Sequence, residues 1–377
     1  MTEVQVLFLV LAVVYFLQCI GWAPLESEVL RIGWRYRTNL AHGLHMRFGQ
    51  YKLFFLNPFS PLAGSTVCEF FPSVRTSKDG SHDNPNSSKI DDAPDTRTIR
   101  LSAVEKQQVH SEGKEVRSAG HVLFTAHSEA FASFLAGVLD RVRKSSVRDR
   151  DRAFEREFEK MFDAKKVALR LEEYQAHSVF LRAACVLLFV FLFMMAPVLV
   201  RLRGLERIWP VLLAYLVWSL AWIGWSFLRA HRALYPEQKE GRWQQVMVLA
   251  LSPFSAIRAN DVLLRDLFCD FHPLAVGQVL LSNEEFRGQA ERILRHSLFR
   301  AGRDDTSSDA VMRRVLQAFL TKIEMPPKEL LRPLQRESEN CQTYCPLCLA
   351  QFFLAEGECP DCGDVPLKKF PPEAKSL

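Results

Sequence analysis

VFLRAACVLLFVFLFMMAPVLV, residues 179–200, is an apolar run whose single charge, Arg182, lies one turn from its start. A helix rises about 1.5 Å per residue, so a run of this length crosses a hydrocarbon core about 30 Å thick. Arg182 sits where a long side chain can snorkel to the headgroups. Residues 208–228, IWPVLLAYLVWSLAWIGWSFL, form a second such run with no charge at all. Only RLRGLER, residues 201–207, joins them, which predicts a tight antiparallel helical hairpin. Pro197 and Pro210 fall near its turn, where the backbone tolerates them best. Trp218, Trp222 and Trp225 share one helical face and read as belt or packing residues rather than as a ligand box.

A further run at 4–23, VQVLFLVLAVVYFLQCIGWA, follows Met-Thr-Glu with no Lys or Arg before it. Trp22-Ala23-Pro24-Leu25 is not a small-x-small cleavage site, so the run reads as an anchor and not as a cleaved signal. The expected fold class is therefore a mostly α integral membrane protein with three transmembrane helices. The average composition, 48% hydrophobic and 24% charged, conceals this because the apolar residues are concentrated in those runs. A net charge of +5 on 377 residues gives no case for nucleic acid.

Orientation follows from Lys and Arg near the span ends. Arg31, Arg35 and Arg37 follow the first run, Lys160, Lys165, Lys166 and Arg170 precede the second, and Arg229, Arg232, Lys239 and Arg242 follow the third. Only Arg201, Arg203 and Arg207 lie on the opposite side. The larger group belongs in the cytoplasm, with the N-terminus and the hairpin loop outside and the C-terminus inside. Arg outnumbers Lys about two to one, which points to a GC-rich bacterial genome and so to a bacterial inner membrane.

The polar regions divide by composition. Residues 24–72 are a basic, aromatic juxtamembrane region, and 73–99 are rich in Ser, Asp, Pro and Asn and read as a flexible loop. Residues 100–177 read as a small α+β region: a β hairpin around EVRSAGHVLFTAH, a helix at SEAFASFLAGVLDRV, then a charged helix from 147. That last helix carries Phe154, Phe158, Phe162 and Leu169 along one side and Arg152–Glu155, Arg156–Glu159 and Lys160–Asp163 at i,i+3, and it is expected to run straight into the second span. Residues 245–325 read as cytoplasmic amphipathic helices, one starting at Asn283, and 326–340 as a polar linker. Two short echoes recur: Leu56-Asn57-Pro58-Phe59-Ser60 with Leu251-Ser252-Pro253-Phe254-Ser255, and Cys68-Glu69-Phe70-Phe71-Pro72 with Cys269-Asp270-Phe271-His272-Pro273. They suggest paired elements lying against the membrane near each other.

The cysteines carry the sharpest chemistry. Cys345-Pro-Leu-Cys348 and Cys359-Pro-Asp-Cys362-Gly363 are two Cys-x-x-Cys knuckles ten residues apart. Two intervening residues let both sulfurs of a knuckle face one point, and turn N–H groups stabilise their charge. Pro346 and Pro360 stiffen the turns, and Gly363 permits the positive φ common after a second knuckle. Residues 341–370 resemble the zinc-ribbon family. The resemblance implies one structural Zn²⁺ held by Cys345, Cys348, Cys359 and Cys362, with no open coordination position. Leu349 departs from the family, where many knuckles have Gly. Cys341 reads as a spare thiol. Thiolates need a reducing compartment, in agreement with the orientation set by Lys and Arg.

Elsewhere catalytic signatures are missing: no phosphate-binding Gly-rich loop with Lys, no His-Glu-x-x-His and no Gly-x-Ser-x-Gly. His42 with His45, and Cys269 with His272, have same-face offsets if helical, but two ligands do not make a metal site. The expected function is a non-enzymatic membrane adaptor or assembly factor that presents the ribbon to a cytoplasmic protein partner. The competing expectation is a membrane-bound enzyme with a cytoplasmic-face site using His272, Asp270 and Asp261. Nucleic acid is disfavoured as a partner because the ribbon's hairpin, LAQFFLAEGE, is acidic and apolar.

Overall fold

A computed structural model describes residues 3–18, 20–24, 27–32, 37–39, 45–48, 51–55, 64–69, 108–118, 121–125, 129–146, 149–236, 242–265, 267–301, 307–331, 336–346, 349–359 and 365–370. The expected loop at 73–99 and the echo at Leu56–Ser60 lie outside them. The chain is mostly helical and forms two compact units, each assembled from two separated stretches: 1–70 with 163–280, and 71–162 with 281–377.

The first unit opens with helix α1 (Glu3–Gln18), followed by strands β1 (Ile20–Pro24), β2 (Ser27–Ile32), β3 (Arg37–Asn39), β4 (His45–Phe48), β5 (Tyr51–Phe55) and β6 (Gly64–Glu69). The second unit begins with β7 (Val109–Glu112), β8 (Glu115–Ser118), β9 (His121–Thr125), α2 (Glu129–Lys144) and α3 (Arg150–Lys160). The chain then returns to the first unit with α4 (Ala164–Val190), a π turn (Phe191–Met195), α5 (Ala196–Arg203), α6 (Leu205–Leu234), α7 (Arg242–Leu251), α8 (Pro253–Ile257), α9 (Ala259–Arg265) and α10 (Pro273–Leu280). The second unit closes with α11 (Asn283–Ala301), α12 (Ser307–Lys322), α13 (Pro327–Leu330), β10 (Thr343–Tyr344), β11 (Gln351–Phe352) and β12 (Lys368–Lys369).

The core of the first unit is the predicted hairpin. Two of its helical segments, one within 152–203 and the other Leu205–Leu234, are long and apolar enough to cross a membrane. Helices α4 and α6 pack together. Leu181, Ala184, Cys185 and Leu188 are buried on one, and Ile223, Phe227 and Ala230 on the other, each set at helical spacing. Outward positions are just as apolar: Val179, Phe180, Leu187, Met194 and Val198 are exposed, as are Leu213, Val217, Trp218 and Trp225. The π turn precedes Pro197, whose ring would strike the carbonyl four residues back in a regular α turn. Widening lets the Ala196 N–H reach Phe191 O and absorbs the ring.

The reversal is tighter than expected. Helix runs through both ends of RLRGLER, and Gly204 alone turns the chain at φ +75°, ψ 148°, a region that only glycine enters freely.

The first apolar run is not one long helix. Helix α1 ends at Gln18, and Ile20–Pro24 pairs antiparallel with Tyr51–Phe55. An apolar run alone cannot separate helix from strand, and Ile-Gly-Trp favours the extended state over a helix interior. Residues 20–69 contribute two three-stranded antiparallel sheets, ordered β1-β5-β4 and β3-β2-β6. His45 lies in β4, and His42 lies outside the described residues.

In the second unit β7, β8 and β9 form an antiparallel sheet containing the expected hairpin, with an irregularity between Val116 and Arg117. Helix α2 packs on this sheet and on α3. The charged helix does not continue into α4. It ends at Lys160, and Asp163 starts α4 by accepting from the Lys166 N–H at 3.2 Å. Asp163 is therefore a cap and not the last member of a ladder. Phe154, Phe158 and Phe162 stay buried, with Phe162 4.8 Å from the Phe319 ring of α12. The break resets the register, and Leu169 is 57% exposed instead of joining that stripe. The ion pairs of this region centre on Glu157, which holds Lys160 and reaches across to Arg141 at 2.8 Å. Ser282, one residue before the expected start, caps α11: Glu285 N–H meets its hydroxyl, and the Glu285 carboxylate accepts from Ser282 N–H at 3.0 Å.

Candidate metal centre

Strands β10, β11 and β12 make a small antiparallel sheet in the order β11-β10-β12. Thr343 is fully buried at its centre, and its hydroxyl donates to Leu354 O at 2.7 Å, pinning the hairpin to the middle strand. The two knuckles start alike. Cys345 N–H donates to Ala350 O and Cys359 N–H to Val365 O, each at 2.9 Å. Leu349 N–H returns to Cys345 O at 3.0 Å, which forces Leu349 to φ +65°. That is the position where the zinc-ribbon pattern prefers glycine, and the leucine accepts the left-handed conformation in its place. Beyond β11, Gly357 takes φ +147° and its carbonyl accepts the Leu367 N–H at 2.9 Å.

These turns carry Cys345 and Cys359 into one buried cluster with Val365, covered by Phe352 and Leu367. Cys348 and Cys362 lie outside the described residues. Among the described residues no group of three or more His, Cys, Asp and Glu side chains gathers to hold a metal. The two leading cysteines of the motif do share one buried apolar cluster, where both side chains are closed off from water. Cys341 is also buried, with its N–H bonded to Ser338 O.

The outer face of the ribbon differs in character. Phe353 is 68% and Leu354 61% exposed, immediately after β11, with Glu356 and Glu358 exposed beside them. The Tyr344 and Phe370 rings meet at a tilt, 5.1 Å apart, with the Arg336 guanidinium over Phe370.

The three residues expected of an enzymatic site serve structural roles. Asp270 pairs with Arg170, which also donates to Leu267 O, and Asp261 pairs with Arg258. His272 Nδ1 accepts the Leu274 N–H at 3.2 Å and so caps α10. Burial pushes its pKa down to about 3, which keeps the ring neutral. Cys269 is half-buried.

Sequence reasoning missed a buried polar contact between α4 and α9. The Tyr174 hydroxyl donates to Asn260 Oδ1 at 2.5 Å, with Ser178 buried one turn further along α4. The only available signal was the i,i+4 spacing of Tyr174 and Ser178 just before the apolar run. Trp218 and Trp222 lie 5.1 Å apart with their rings tilted, and the Arg229 guanidinium lies over Trp225.

Comparison with family models, with curated proteins and with solved structures finds no match.

Proposed function

We propose that this chain is a membrane-anchored adaptor or assembly factor that presents a structural zinc ribbon to a cytoplasmic protein partner. Helices α4–α5 and α6 span the bilayer, and the shorter α1 packs beside them. The excess of Lys and Arg around 160–170 and 229–242 keeps the C-terminus in the cytoplasm. Cys345, Cys348, Cys359 and Cys362 hold one Zn²⁺ as thiolates. When bound, the ion ties the two knuckles together and offers no reactive position. The protein's own residues build the base: Thr343 fixes the hairpin, and Phe352 and Leu367 exclude water from the sulfurs.

The observation that carries the reading is the pair Phe353–Leu354, held in solvent on a braced hairpin. An exposed aromatic–aliphatic pair on a rigid support has the composition of an interface anchor. Glu356 beside it pairs with Lys369 at 3.0 Å, so the rim around the anchor is of mixed charge. The enzymatic alternative draws no support, because Asp261, Asp270 and His272 are occupied in ion pairs and a helix cap.

The test is affinity capture from detergent-solubilised membranes with three chains: intact, lacking residues 341–377, and carrying F353S/L354S. Proteins recovered with the intact chain should be absent from both variants. An identical set from all three would sink the recruiting role.

A further inference from the structure

Residues 243–257, WQQVMVLALSPFSAI, contain no charged side chain and are bracketed by Arg242 and Arg258. As a helix the segment would reach roughly 22 Å, short of the hydrocarbon thickness, so it cannot cross. It does not stay helical throughout either, because α7 ends at Leu251 and α8 starts at Pro253.

The contacts of its two arms fix how far it travels along the spans. On the first arm, Val246 packs against Gly224, which lies inside the third apolar run. On the second, Ala256 O accepts from the Cys185 thiol of α4, at a level about 9 Å past the start of the second run. The turn between the arms goes further. Phe254 meets the Tyr15 ring at 6.4 Å, and Tyr15 meets Phe189 and Phe193 at 5.9 and 5.3 Å. Phe189 is about 15 Å along that run from Val179, which is half of a bilayer core.

The return is built from the same geometry. Tyr174, just before the second run, binds Asn260 just after the second arm. At the mouth, Arg242 donates to Tyr235 O, and the Tyr235 hydroxyl donates to Leu263 O at 2.7 Å, tying entry to exit.

We propose that Trp243–Ile257 is a re-entrant helical hairpin, which enters the bilayer from the cytoplasmic face, turns at Ser252-Pro253 near the midplane and leaves by the same face. Its occupant on the open side is lipid acyl chain. Trp243, Met247, Val248 and Leu251 are all exposed, Leu251 by 78%, and they recur at helical spacing as a face without a charge. Backbone polar groups at such a depth must be satisfied within the protein. The turn meets that demand: Ser252 Oγ accepts the Ser255 N–H at 3.3 Å, Ser252 O accepts the Ala256 N–H at 2.9 Å, and Pro253 has no N–H to satisfy. The Leu-Ser-Pro-Phe-Ser motif thus acquires a physical role.

This proposal rests on the membrane reading above, and its test separates the two. The full-length chain is reconstituted in phosphatidylcholine vesicles carrying a photoactivatable group either at the acyl-chain end or on the headgroup. Trypsin then releases 243–258 as one peptide, and adducts are mapped by mass spectrometry. The chain-end probe should mark Met247, Val248 or Leu251 as it marks Val217 of α6. The headgroup probe should mark only the Arg242–Trp243 end. If the chain-end probe marks α6 but leaves 243–258 clean, the hairpin lies at the surface and the proposal falls. If α6 is also clean, the membrane reading falls with it.

Discussion

Leu349 holds a backbone conformation that costs a residue with a Cβ about 1 kcal/mol or more. The cost is tolerated because its N–H closes the first knuckle onto Cys345. Leu349→Gly should relieve it and, after subtracting glycine's greater freedom when unfolded, stabilise the C-terminal sheet by about 0.5 kcal/mol. Limited proteolysis of the C-terminal segment in the full chain should then slow by roughly twofold. His272 makes a different statement. It stays neutral in the fold to about pH 3 but protonates near pH 6.5 when unfolded, so acid favours the unfolded chain. Its contribution is complete above pH 6.5 and declines at roughly 1.4 kcal/mol per unit as pH falls towards 3. Denaturation in detergent at pH 7 and pH 5 should reveal the decline. His272→Asn, which can still cap but cannot titrate, should flatten it. Neither residue's role was legible in the sequence. Leu349 was visible as a departure from a pattern, whereas the capping by His272 depends on a rotamer and burial that no spacing encodes.

Among the elements, periodicity and composition located the helical hairpin, α2 and the β8–β9 pair. They failed at the boundaries, where one residue decides. Asp163 splits a helix that its charge pattern would carry onward, because a carboxylate cap competes with the i,i+3 ladder and wins. Asp163→Ala should cost about 1 kcal/mol, seen as a lower unfolding midpoint in detergent. Gly204 compresses a seven-residue linker to one turning residue. Gly204→Ala should destabilise the α5–α6 turn by about 1–3 kcal/mol, readable as a drop in the thermal midpoint. The strands between residues 20 and 69 were hidden for another reason. Their pairing is non-local, Ile20 with Phe55 for instance, and a basic, aromatic stretch beside a hydrophobic run reads equally well as juxtamembrane chain.

At the scale of the molecule, the four cysteines were fully legible as a motif because knuckle spacing is local chemistry. That two of them would share one apolar pocket with Val365, Phe352 and Leu367 was not. Metal analysis of the purified full chain should return about one zinc per chain under the tetrathiolate reading. C345S/C359S should lose it and expose residues 341–370 to protease. Zinc retained at full stoichiometry by that variant would exclude these ligands. The division into two units was likewise beyond the sequence, since each joins stretches that lie far apart along the chain.

That interleaving has a consequence for biosynthesis. Phe162 finishes one half of the second unit, and its ring partner Phe319 belongs to the other half, roughly 160 residues later. At 5–20 residues per second a ribosome needs about 8–30 s to make that interval. Throughout it the stripe of Phe154, Phe158 and Phe162 waits without the α12 surface that will cover it. A nascent chain arrested before residue 319 should therefore engage chaperones through this stripe, while one released after residue 322 should not.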